Sequence, residues 1–270
     1  MMRTLALVTV SVFMFGCGEG APPPEGEARE PAQSVTDPSA GIQDPDVRQV
    51  HERMMEAMAP GGGWEEARYI TFDWIVRREG GDQLRRSHEW DRWDGKVRVS
   101  QPSDDGQVTA LFSLDAPENG EVWVDGERQE GEAAGELLAG THRSFINDSY
   151  WFLMPYKWTD PGVTLEYLGE QTDDEGRDWE VVELHFDEVG LTPQNRYRAF
   201  VNPETDLMER WHFIRDAESE PAPTDWANWQ TFGPIRLPTE RLADGVPRIT
   251  FENIRVEREI PGSAFQPPSG

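Results

Sequence analysis

The chain has 270 residues, with 25 Lys plus Arg against 51 Asp plus Glu, and a formal net charge of -26 at pH 7. Such an acidic chain is a poor partner for nucleic acid, and it is repelled by anionic lipid surfaces unless something other than charge holds it there. Only 37% of the residues are hydrophobic, yet 11 Trp and 12 Phe supply enough large apolar area for one core, and no mid-chain linker divides the length into two domains.

The N-terminus offers a means of attachment. Arg3 precedes an apolar run from Leu5 to Phe15 that is too short to span a bilayer, and Gly16 then precedes Cys17, the only cysteine. A lone thiol excludes an intramolecular disulfide framework. The run Met14-Phe15-Gly16-Cys17 resembles the lipobox of bacterial lipoproteins. The resemblance implies a signal peptide over 1–16 and a mature N-terminus at Cys17 carrying acyl chains such as palmitate. Gly18, where such proteins retained at the inner membrane commonly carry Asp, implies an outer-membrane lipoprotein facing the periplasm or the cell surface. Residues 17–43, rich in Pro, Gly and Glu and without apolar periodicity, predict a tether of roughly 25–30 Å if flexible.

The domain is expected over 44–270. Asp44-Pro45 is a helix-start signal, and Val47, Val50, Met54 and Met58 form one stripe before Pro60-Gly61-Gly62-Gly63 ends it. Ile70, Phe72, Trp74 and Val76 then alternate along a strand. Further strands follow over Leu84–Trp93, Lys96–Ser100, Val108–Leu114 and Glu121–Val124, punctuated by Asp94-Gly95 and Asp125-Gly126, with 115–120 as a polar connection.

The most apolar segment beyond the N-terminus is Ser144 to Trp158. Its spacings predict a central helix from about Glu136 to Met154, stopped by Pro155. After Asp160-Pro161-Gly162 come strands opening at Val163-Leu165-Tyr167, and then near 179–187, 195–202, 207–215, 226–232, 235–242 and 248–258. The fold class is mainly β with helices. One curved antiparallel sheet of roughly nine to eleven strands forms an unclosed half-barrel, a meander with both helices packed on its concave face.

Catalytic machinery is not legible. His51, His88, His142, His185 and His212 show no metal-ligand spacing, although His185 and Asp187 share a strand face. No Gly-x-Ser-x-Gly occurs, Ser149 falls mid-helix, and no glycine-rich phosphate loop is present. Asp104-Asp105 and Asp173-Asp174 precede glycines as turn residues do. These absences predict no enzyme, cofactor or metal. The surplus is aromatic, and a concave face lined by such residues suits an acyl chain or lipid. Phe72, Trp74, Trp151, Phe152 and Met154 are the candidate ligand-binding residues; the same residues could instead simply fill the core.

The element order behind a lipoprotein signal resembles the superfamily of lipoprotein-localisation factors (LolA/LolB/LppX-like). Asn147-Asp148-Ser149-Tyr150-Trp151-Phe152-Leu153-Met154-Pro155-Tyr156-Lys157, Asp160-Pro161-Gly162-Val163, Phe186, Val189-Gly190-Leu191-Thr192-Pro193 and Tyr197 look like a group of uncharacterised bacterial lipoproteins placed near that superfamily. The resemblance spans about Asp44 to Pro268. It implies an open barrel capped by helices and occupied by a lipid or other apolar ligand, in a monomeric protein that meets the membrane through its anchor. The apolar loop of the outer-membrane receptor has no counterpart in the polar 115–120 segment. A ligand-free interaction or sensing module, or an enzyme with an unrecognised site, are the alternatives.

Overall fold

The structure, a computed structural model, describes residues 39, 41–77, 83–186, 195–215 and 218–268. The signal segment, Cys17, most of the tether, Asp187 and the Val189 to Pro193 motif lie outside the described residues.

Helix α1 spans Pro45–Met58. The Asp44 carboxylate accepts from the backbone N–H of Asp46 at 2.9 Å and of Val47 at 3.3 Å, while Pro45 sits where no helical N–H is needed. The expected stripe is buried, together with His51 and Met55. Packing reaches further back along the chain: Ser39 and Ile42 are buried, and the Ser39 hydroxyl lies 2.8 Å from His51 Nδ1. A single turn, α2, follows at Gly63–Glu66.

Strands β1 (Tyr69–Arg77), β2 (Gln83–Asp91), β3 (Lys96–Ser103), β4 (Gly106–Ser113), β5 (Ala116–Val124) and β6 (Glu127–Arg128) form a first antiparallel meander. A second is formed by β7 (Val163–Thr172), β8 (Asp178–Phe186), β9 (Arg196–Asn202), β10 (Leu207–Ile214), β11 (Ala222–Phe232), β12 (Ile235–Ala243) and β13 (Val246–Glu257). The fold class is as expected, one open antiparallel sheet with helices, but two details differ.

First, the sheet has 13 strands among the described residues, more than the nine to eleven anticipated. Bulges in β5, β7, β10 and, twice, β13 bend the strands, which lets a wide sheet curl instead of splaying. Residues 116–120, read as a connection, belong to β5: Ala116 lies opposite Ser113 and Glu121 opposite Leu111, and the four residues between them form a bulge held by pairing on either side. Second, the sheet is two meanders joined by a long-range ladder, with Ile70 opposite Val256, Trp74 opposite Phe251 and Val76 opposite Ile249. Strands β6 and β7 are the two free edges.

Helix α3, Gly131–Leu153, carries the chain from one edge to the other. It begins five residues before the expected start, because Gly131 and Gly135 read locally as breakers. It ends one residue before Met154, which opens the single 3₁₀ turn Met154–Tyr156 forced by Pro155. At 1.5 Å per residue, 23 residues span roughly 35 Å. Along that path α3 packs on β3, β4, β5 and β12, whereas α1 packs on β7, β10 and β12. Gly120 is the point of closest approach in β5: a Cβ there would stand 2.6 Å from the Leu111 carbonyl oxygen and 2.9 Å from Leu138 of α3. Among the described residues, no helix is long and apolar enough to cross a membrane.

Candidate functional site

Alternation in the central strands sends Ile70, Phe72, Trp74 and Val76 of β1 and His88 and Trp90 of β2 to the concave side, where α3 covers them. Phe72 is 1% exposed and Phe152 fully buried; their rings lie 4.4 Å apart, and Phe152 stacks on Phe251 at 4.6 Å. Met154 is fully buried in the same cluster. These three candidate residues therefore meet protein on every side. Trp74 is covered by the Arg86 guanidinium, 4.0 Å above its ring. Trp151 is only half-buried and points elsewhere, toward Trp211 at 4.4 Å.

A polar contact fixes α3 over this layer. Asp148, fully buried, accepts two bonds from Arg86, both at 2.6 Å, and lies 2.9 Å from His88 Nε2 and 2.8 Å from the Asn147 amide nitrogen. Its two oxygens are thus shared among a cation, an imidazole and an amide, as a buried carboxylate requires. At the far end of the helix, Arg241 of β12 is fully buried. Its Nε and Nη2 donate to the Trp151 carbonyl at 2.9 and 2.6 Å, Nη2 also to Phe152, and Nη1 to Pro238 and Glu240. The guanidinium caps the terminal carbonyls that α3 cannot satisfy internally. Burial pushes its pKa well below the usual arginine range, but carbonyl oxygens receive its donors and arginine keeps its proton in proteins.

Beyond the end of α3 the packing changes character. Tyr150 lies 5.7 Å from Phe186 of β8 and 5.5 Å from Tyr197 of β9; Tyr197 lies 4.7 Å from Trp211 and 5.5 Å from Phe213 of β10; and Trp211 lies 5.2 Å from Trp226 of β11. Trp211 and Trp226 form the floor, each 1% exposed, while Tyr150, Trp151, Phe186, Tyr197 and Phe213 form a half-buried rim. Among the described residues, the Tyr150 hydroxyl and the indole N–H groups of Trp211 and Trp226, like those of Trp74, Trp90, Trp158 and Trp229, are buried without a hydrogen-bond partner. Burial raises the pKa of Tyr150 well above the ordinary phenol value and also raises that of Tyr197, so both hydroxyls stay protonated at neutral pH.

The remaining sequence candidates are dispersed. His142 packs edge-on against Phe112, and His185 lies 3.2 Å from Glu183 on the outer face. His212, beside Phe200, is pushed down to about 4 by burial and by the neighbouring Arg210 and Arg198. Asp173 shapes its turn. Burial alone would raise its carboxyl, but bonds from the Arg177 backbone N–H, the Trp179 indole and the Arg177 guanidinium outweigh that and hold it down to about 2. Among the described residues, no three His, Cys, Asp or Glu side chains are grouped so that they could hold a metal ion.

The fold is an unclosed antiparallel half-barrel wrapped on one long helix, with an aromatic cluster at the end of that helix. No protein-family model matches the chain, and no characterised protein matches it in sequence. Its fold is similar to that of a LolA superfamily protein from Nitrosomonas europaea, at 13% identity over 81% of this chain and 96% of that one, with a TM-score of 0.47. A DUF1329 family protein from Desulfovibrio piger matches at 12% identity over 82% and 97%, TM-score 0.43. A domain described as an outer membrane lipoprotein-sorting protein, from Vibrio parahaemolyticus, matches at 9% identity over 79% and 93%, TM-score 0.43.

Sequence reasoning placed Trp151 in the site and missed Tyr150, Phe186, Tyr197, Trp211 and Phe213 as companions. A signal existed: Trp211 and Phe213 share a strand parity, as do Tyr197 and Ala199. Their convergence with Tyr150 depends on which strands lie under the end of α3, and local patterns carry no such information.

Proposed function

We propose that the protein is an envelope lipoprotein, anchored through Cys17, that binds an apolar ligand such as an acyl chain at the aromatic cluster between the end of α3 and β8–β11. The observation that carries this reading is the combination of a half-buried aromatic rim with buried donors lacking partners at Tyr150, Trp211 and Trp226. Indoles of the filled core, those of Trp74, Trp90 and Trp158, also lack acceptors, so what sets these three donors apart is their place beside the half-buried rim. Each donor left alone costs about 1–3 kcal/mol, a cost that a ligand oxygen would remove. The rim itself offers apolar area, and burying about fourteen methylenes at ~0.8 kcal/mol each provides roughly 11 kcal/mol against association costs of ~4–15 kcal/mol.

The test is uptake. Delipidated protein should bind a fluorescent fatty acid at micromolar concentration, and gently purified protein should release a lipid detectable by mass spectrometry. Trp211→Ala should abolish uptake. In cells, Cys17→Ala should move the protein from the membrane to the soluble fraction.

A second reading, a ligand-free interaction or sensing module, is favoured by the complete burial of Phe72, Phe152 and Met154 against one another. No uptake by the delipidated wild-type protein would select it.

A further inference from the structure

The groups around the aromatic cluster share one property: they give hydrogen bonds and do not need to receive them. The indole N–H groups of Trp211 and Trp226 can only donate, and the Tyr150 hydroxyl, held protonated, donates as well. Behind them stands a cation. The Arg241 guanidinium carbon lies 3.6 Å over the Trp226 ring and 4.8 Å from Phe251, and two of its nitrogens hold the Trp151 carbonyl.

Unlike Arg86, which is matched by Asp148, Arg241 pairs with no carboxylate among the described residues. The end of α3 offsets about half an elementary charge through its aligned carbonyls. A positive excess therefore remains inside a protein whose formal net charge is -26. In a low-dielectric interior that excess reaches several ångströms with little screening.

Building on the apolar-ligand reading, we infer that this cluster selects an anionic amphiphile, an acyl chain ending in a carboxylate or phosphate, whose oxygens accept from Tyr150, Trp211 and Trp226 in the field of Arg241. The selectivity runs against the surface charge. An acidic protein attracts cationic amphiphiles from solution, so a preference for anions has to originate at this internal site.

The experiment compares dodecanoate, dodecyl phosphate, dodecanol and dodecyltrimethylammonium. All four are titrated into the delipidated full-length protein below their micelle concentrations at moderate salt, with tryptophan fluorescence as the readout. The expected result is that at least one anion binds about tenfold or more tighter than the cation and tighter than the alcohol, as a charged acceptor on neutral donors provides. Whichever anion binds tighter separates a fatty-acid from a phospholipid-type head.

Tyr150→Phe keeps the ring and removes one donor, and Trp211→Phe removes a donor together with part of the indole ring, so both should narrow the anion-to-cation ratio severalfold, with dodecanol binding changing less for Tyr150→Phe. Equal binding of all four, or tighter binding of the cation, overturns the head-group inference and leaves the apolar site standing. Failure of all four to bind removes both.

Discussion

Replacing Asp148 with Ala tests whether the contact between α3 and the sheet is a stabilising necessity. In the wild-type protein its carboxylate receives Arg86 twice at 2.6 Å, with His88 Nε2 at 2.9 Å, and the carboxylate itself is fully buried. Deleting it strands a guanidinium and an imidazole in a site built around a negative charge. Breaking a buried pair from one side costs about 3–5 kcal/mol. The Arg86 side chain keeps 16% of its surface exposed and still lies over Trp74, so the lower part of that range applies, about 3 kcal/mol. For a domain of this size that lowers Tm by on the order of 10 °C. Asp148→Asn keeps an acceptor oxygen and should cost roughly half as much. Exchanging all three partners, with Asp148→Leu, Arg86→Met and His88→Phe together, should recover most of the loss, since an apolar set needs no compensation. Urea unfolding followed by tryptophan fluorescence measures each value. A loss below about 1 kcal/mol for Asp148→Ala would show that Arg86 escapes to water and that the contact does not fix the helix.

Phe152→Ala should cost about 3–5 kcal/mol by calorimetry or urea titration while leaving ligand affinity within a fewfold, because the ring lies within the filled layer and not at the rim. Gly120→Val should lose about 1–3 kcal/mol through the clash with the Leu111 carbonyl and Leu138, with Gly120→Ala intermediate. His212, held down to about 4 against an unfolded value near 6.5, binds fewer protons folded than unfolded. Its contribution is complete above pH ~6.5 and is lost as the pH falls toward 4, by about 1 kcal/mol after allowance for solvent screening. His212→Phe should flatten that part of the stability profile. Asp173, held down to about 2, contributes in the same direction but in a lower window: its stabilisation is present above pH ~4 and disappears as the pH falls through 2.

Much of the scaffold was legible because it is written locally. Asp44-Pro45 names the start of α1, and the alternation at Ile70, Phe72, Trp74 and Val76 names both a strand and its buried face. What escaped was whatever depends on a distant partner. The pairing of β1 with β13 joins residues about 180 positions apart in sequence, and nothing in either strand singles out the other. The first half of β5 carries Pro117, Asn119 and Gly120, a turn composition, yet it runs as a bulged strand because Ala116 and Glu121 on either side pair with β4. Arg241 was hidden in a different way. It continues the register of Ile235, Leu237 and Thr239, where an apolar residue would be expected. A buried cation there makes sense only once the unsatisfied end of α3 is known to lie above it.

The placement of the aromatic cluster follows from the same topology. The chain leaves the first meander at the β6 edge and must re-enter the sheet at the β7 edge, so α3 has to cross the concave side. It covers the first meander through β3, β4 and β5, and α1 covers β7 and β10 of the second. Tyr150 and Trp151 stand where α3 runs out over β8, β9 and β10, and Pro155 prevents the helix from continuing to seal that end. The chain instead turns away through Tyr156, whose hydroxyl lies 3.0 and 2.8 Å from the carbonyl oxygens of Met58 and Arg236 and so ties the turn to α1 and β12. A half-exposed aromatic rim is the geometric consequence of a helix that stops short of the far edge. Substitutions that loosen the Tyr156 tie, such as Tyr156→Phe, should alter ligand affinity at the rim more than substitutions in the Phe72 and Phe152 layer do.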